Sequence, residues 1–77
     1  MKTLEEFKKT GRNVKFSEHP EIKEPGYEFG RVYEGNCYIG LLDSGNWHVY
    51  ISNWDAESPT LDSLEKELYE FYCEEIA

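Results

Sequence analysis

Two histidines and two cysteines are the side chains of this sequence best suited to act as neutral-pH bases, soft metal ligands or thiol nucleophiles. Neither His19 nor His48 stands at ligand spacing from Cys37 or Cys73, so the pattern of a zinc site is absent. The strand register deduced below puts Cys37 and His48 on one sheet face, which would allow a nucleophile–base pair. They are not directly opposite, however, and no orienting or oxyanion-binding group accompanies them. His48 is therefore expected to be a surface or half-buried strand residue. The cysteines read as two buried thiols of a reducing cytoplasm rather than as a bridge.

Carboxylates are the other chemical resource, and with 16 of them no single pair is informative. A general acid needs its carboxyl in an apolar cleft, and a chain of 77 residues has little room for one. The glycines fall at turns or at single strand positions, and none forms a phosphate loop. Gly30 and Gly40 are expected to leave space for neighbouring rings. The expectation is a protein that is not an enzyme, with no catalytic residue, no metal and no cofactor.

Charge says more. The net charge is −8, unevenly distributed. Residues 1–23 carry six basic and four acidic side chains, whereas residues 24–77 carry twelve acids against only Arg31 and Lys66. Phosphate contacts need cations, so the larger part is unsuited to direct nucleic-acid binding or to anionic membranes. A basic partner surface is favoured instead. No window approaches the roughly 20 apolar residues of a membrane span, and the charged start lacks an apolar signal core. A cytoplasmic location is the matching expectation.

The elements that position these groups centre on residues 27–52. Gly35-Asn36 and Asp43-Ser44-Gly45-Asn46 are turn sequences that delimit three strands, about 27–33, 37–42 and 47–52. A two-residue turn at Gly35-Asn36 would pair Tyr33 with Tyr38; the second turn would then set Leu42 against Trp47. One face collects Tyr27, Phe29, Tyr33, Tyr38, Leu42, Trp47, Val49 and Ile51, and is the expected core face. The other collects Val32, Cys37, Ile39, Leu41, His48 and Tyr50. A slip of one residue would swap a strand's faces.

Thr3-Leu4-Glu5-Glu6 fits a capping box opening a short helix over about 4–10, with Glu5 and Lys9 paired on its surface and Gly11 ending it. Val14 and Phe16 allow an extra edge strand near 13–17. Residues 18–26, with Pro20 and Pro25, form a connection, and Asn53 to Ser58 reads as a turn region in which Trp54 covers the end of the core. A longer helix over about 59–75, capped by Ser58 or Thr60, carries the stripe Leu61, Leu64, Leu68, Phe71 and Tyr72, extended by Ile76. The result is one small α+β domain over 1–77, a three-stranded antiparallel meander with both helices on one face.

Two surfaces emerge as partner sites. The far side of the last helix presents Asp62, Glu65, Glu67, Glu70, Glu74 and Glu75, dense enough to imitate DNA phosphates, and Tyr50 or Trp54 would add an apolar anchor. The second sheet face, if uncovered, would serve a homodimer or an assembly. In size, acidity and layout the chain resembles the small phage inhibitors of bacterial defence nucleases, the anti-CRISPR and anti-restriction proteins. The resemblance is one of class, and it implies a DNA mimic that occupies a basic nucleic-acid-binding surface of a host effector.

Overall fold

In the computed structural model, residues 2–22 and 26–76 are described. Of the expected connection, residues 23–25 lie outside that range. The first helix, α1 (Leu4–Lys9), opens in the expected capping box: Thr3 Oγ1 accepts from the Glu6 N–H at 3.2 Å, and the Thr3 N–H donates to Glu6 Oε1 at 2.8 Å. Glu5 pairs with Lys8 at 3.8 Å rather than with Lys9. The cap at the other end is Thr10, whose hydroxyl donates to the Phe7 carbonyl at 2.7 Å. Gly11 is required for space, since a Cβ there would lie 2.6 Å from the Tyr33 ring.

The meander is larger than expected. Among the described residues five strands, β1 (Arg12–Lys15), β2 (Phe29–Val32), β3 (Tyr38–Leu41), β4 (Trp47–Ile51) and β5 (Trp54–Ser58), form one antiparallel sheet in chain order. The edge strand allowed near residues 13–17 is present as β1. The stretch read as a turn region is mostly β5, and its sequence carries the period of a half-buried strand. Trp54, Ala56 and Ser58 turn inward while Asp55 and Glu57 are exposed. Ser52 and Asn53 form the turn before it with φ of 49° and 71°, setting Ile51 opposite Trp54. Two positive φ values in a two-residue connection are the type I′ geometry that suits strand twist.

Both earlier turns contain three residues, not two. Tyr33 N–H donates to the Cys37 carbonyl at 2.7 Å across Glu34-Gly35-Asn36, and Leu42 N–H donates to the Asn46 carbonyl at 2.9 Å across Asp43-Ser44-Gly45. Consequently Val32, not Tyr33, faces Tyr38, and Leu41, not Leu42, faces Trp47. Each hairpin is shifted by one residue, so β3 exchanges faces while β2 and β4 keep theirs. Tyr27, expected on the core face, precedes β2, and its ring lies on the opposite face over Gly40. Cys37 and Ile39 enter the core at 1% and 0% exposure, and Tyr38 goes to the other side. Phe29 remains 48% exposed, because the last helix packs over β4 and β5 rather than over that end of β2.

That helix, α2, spans Leu61–Glu75 with Thr60 at its cap position, so Pro59 precedes it and Ser58 is not the cap. Ser58 Oγ instead accepts the Thr60 N–H at 3.2 Å. Leu64, Leu68 and Tyr72 are buried against Phe7, Tyr33, Ile39 and Val49, with Leu61 and Phe71 partly covered. Each fully buried leucine contributes roughly 1.5–3 kcal/mol relative to exposure. Ile76 lies past the helix end and is 46% exposed, so it does not extend the stripe.

The opposite sheet face is not open. Gly30 and Gly40 lie side by side across β2 and β3, and the rings of Phe16 and Tyr27 fill the space above them. Phe16, Tyr27 and Tyr38 form a ring cluster with centroids 5.7–6.1 Å apart. Val32, paired with Tyr38 across β2 and β3, is 3% exposed. The two glycines are therefore needed for close approach, as their positions suggested.

Candidate functional site

The acids of α2 are divided by the fold. At 3.6 residues per turn Glu65 lies next to Leu61, Leu68 and Tyr72, so it rides on the flank of the apolar stripe rather than on the far side. It is 6% exposed and accepts the Tyr33 hydroxyl at 2.5 Å, with Arg31 Nε 3.9 Å away. The same Arg31 bonds Tyr33 Oη at 3.2 Å and Asn13 Oδ1 at 2.7 Å. A buried carboxylate needs such partners, and it has none to spare for a ligand. Glu65 is thus withdrawn from the expected partner surface. Asp62 stays exposed but binds Lys8 of α1 at 3.0 Å.

Glu67, Glu70 and Glu74 meet on the other flank of α2. With Glu75 they line a groove of about 620 Å³, closed on its far side by Ser52, Asn53 and Trp54 of the β4–β5 hairpin. Its apolar wall is Trp54 and Phe71, stacked with ring centroids 5.2 Å apart and planes 11° from parallel. Both rings are half-buried. The β5 strand and its tight turn carry Trp54 to the helix, which is why a residue read as a loop cap becomes a groove wall.

None of these four carboxylates makes an ion pair or hydrogen bond among the described residues. Glu5, Glu21, Glu34, Asp55, Asp62 and Glu65 all have basic or histidine neighbours. Glu70, Glu74 and Glu75 also stand in the last two turns of α2, where the helix dipole opposes negative charge and no basic residue offsets it.

Tyr50 is separate from this groove. It is 40% exposed on the opposite sheet face, across from Asp55 in the β4–β5 register. Sequence reasoning missed Phe71, which it gave wholly to the core, together with Ser52 and Asn53; Glu75 was expected on the acidic side of the helix and does line the groove. Phe71 sits one position off the Leu64–Leu68–Tyr72 line, and that offset is the signal that could have found it.

His48 occupies a second polar arrangement. Its Nδ1 is 2.6 Å from Tyr27 Oη and its Nε2 is 2.5 Å from Asp55 Oδ1. With Nε2–H donating to the carboxylate, Nδ1 accepts the phenol, which ties the segment before β2 to the sheet. Burial raises the Tyr27 hydroxyl well above the ordinary phenol range, so it stays a neutral donor. Cys37 lies on the helix side of the sheet, away from His48, and the pairing considered from sequence does not form. Burial pushes the Cys37 thiol up to about 11, which keeps it protonated. Both cysteines are free; Cys73 is half-buried rather than buried. Among the described residues no cluster of His, Cys, Asp or Glu could hold a metal ion, and no helix is long and apolar enough to cross a membrane.

No family profile matches the chain, and neither a curated protein nor a solved structure does so.

Proposed function

We propose that this protein is a non-enzymatic acidic binding protein that docks its α2–hairpin groove on a basic, nucleic-acid-handling surface of an effector, in the manner of a phage-type anti-CRISPR or anti-restriction inhibitor. The observation that carries this reading is the convergence of Glu67, Glu70, Glu74 and Glu75 with the Trp54–Phe71 wall. Four unpaired carboxylates around an aromatic anchor combine steering charge with apolar contact area.

The charge density bears on what is imitated. Residues 67–75 of a helix rise about 12 Å, at about 1.5 Å each. Duplex DNA carries about seven charges over that length and one strand about four. The array therefore imitates a single phosphate backbone rather than a duplex. Self-association through the second sheet face is not favoured, because Phe16 and Tyr27 already cover it around Gly30 and Gly40.

The test is displacement of a fluorescent single-stranded oligonucleotide from a panel of basic nucleic-acid-binding proteins. Competition should be strong at low salt and fade as screening increases. Glu67→Lys with Glu70→Lys should abolish it. Competition that survives both high salt and the charge reversal, or no competition with any member of the panel, rules the reading out.

A further inference from the structure

The chemistry of the groove narrows the partner group it receives. This step rests on the docking reading above. We infer that the groove seats an arginine side chain of the partner, its guanidinium plane lying on the Trp54–Phe71 wall and its N–H fork directed at Glu67, Glu70 and Glu74.

Three observations lead to this. The carboxylates have no cation of their own among the described residues, and Glu70, Glu74 and Glu75, late in α2, work against the helix dipole, so an external positive group relieves them. They do not converge closely enough to hold a metal ion. A planar group with several donors can instead reach more than one of them. Finally, the wall is aromatic, with Trp54 and Phe71 stacked at 5.2 Å. A guanidinium is planar and weakly hydrated, and it combines stacking on a ring with bidentate bonds to carboxylates. A lysine ammonium holds its water tightly and presents no plane. Seating on a ring thus favours arginine, whereas an open row of acids alone would not discriminate between the two.

The experiment uses the full chain and two capped heptapeptides, one with four arginines and one with four lysines at the same positions, at low ionic strength. Binding is followed by the indole N–H resonance of Trp54, with Trp47 as internal control. The arginine peptide should bind about fivefold more tightly than the lysine peptide, and it should move the Trp54 signal while leaving Trp47 in place. Glu70→Gln, at an exposed position that leaves the core intact, should weaken both peptides alike. Trp54→Leu, checked for folding by circular dichroism, should bring the two affinities together. Equal affinities for both peptides in the wild-type protein, with Trp54 unmoved, overturn the arginine inference and leave electrostatic docking standing. If neither peptide binds, both readings fall.

Discussion

The Tyr33 hydroxyl donates a hydrogen bond to Glu65 Oε2 at 2.5 Å, and both side chains are almost wholly inside, at 2% and 6% exposure. The contact joins the end of β2 to the second turn of α2, and Phe7 stacks on the same Tyr33 ring with centroids 5.2 Å apart. Tyr33→Phe keeps the ring and removes the donor, leaving a buried carboxylate whose ion-pair partner among the described residues is Arg31 at 3.9 Å. The expected cost is about 1–3 kcal/mol in urea denaturation, with the fold retained. Glu65→Gln, which removes the charge but keeps a hydrogen-bonding head, should cost less. A Tyr33→Phe protein as stable as wild type would show that the bond contributes nothing net.

The close approach at Gly40 gives a second prediction. A Cβ there would lie 2.0 Å from the Tyr27 ring. Gly40→Ala should destabilise by about 1–3 kcal/mol through overpacking. In the double variant with Tyr27→Ala the clash has no partner, so the two effects should be clearly non-additive. Additive effects would mean that Tyr27 does not sit over Gly40 in solution.

The groove acids should make α2 less stable than it could be. Glu70→Gln and Glu74→Gln each remove a charge that opposes the helix dipole, and each should raise stability by about 0.3–1 kcal/mol at low salt. The gain should shrink as salt is added. Stabilisation together with weaker partner binding is the outcome expected of residues kept for contact.

Stability should also depend on pH at both ends. Burial raises Tyr33 and Tyr27 above the ordinary phenol range and Cys37 to about 11, while the bond to Glu34 raises Tyr72 to about 12. These groups favour folding fully below their unfolded values, about 8.5 for the thiol and about 10 for the phenols. That contribution is lost as pH rises through the folded values. At the acid end, the Tyr72 hydroxyl and then Lys2 hold Glu34 below the usual carboxylate range. Its contribution is present at neutral pH and is lost as pH falls through the lowered value. Urea midpoints measured from about pH 3 to 11 should therefore fall at both ends of the range. A midpoint that stays flat above about pH 9 would contradict the buried phenols.

Thiol accessibility checks the reversed strand. Cys37 is 1% exposed with a raised pKa, whereas Cys73 is half-buried. Iodoacetamide at about pH 8 should modify Cys73 first and Cys37 only on unfolding, read by mass spectrometry of peptides. Rapid labelling of Cys37 in the folded protein would mean that β3 has the opposite face inward.

What was legible in the sequence was local. The capping box at Thr3, the leucine stripe of α2, the strand-bounding turns and the need for room at Gly30 and Gly40 depend on neighbours within about one helical turn or on side-chain size alone. The α+β class and the acidic bias of the second half follow from the same kind of information. Glu65 and β5 were also within reach. The first stands at helical spacing from Leu61, Leu68 and Tyr72, and the second alternates inward and outward along Trp54–Ser58.

The tertiary structure decided what depends on parity and on distant partners. One additional residue in each of two turns reversed β3, because side chains alternate with a period of two and nothing in Cys37–Leu42 distinguishes its faces by charge. Tyr33 and Arg31, more than thirty residues before Glu65, drew one acid of α2 inside, while β5 carried Trp54 to Phe71 and gathered four of the expected acids into a groove. Composition supplied the negative charge; where it could be presented was settled by packing, because a carboxylate goes inward only where the fold brings it hydrogen-bond donors.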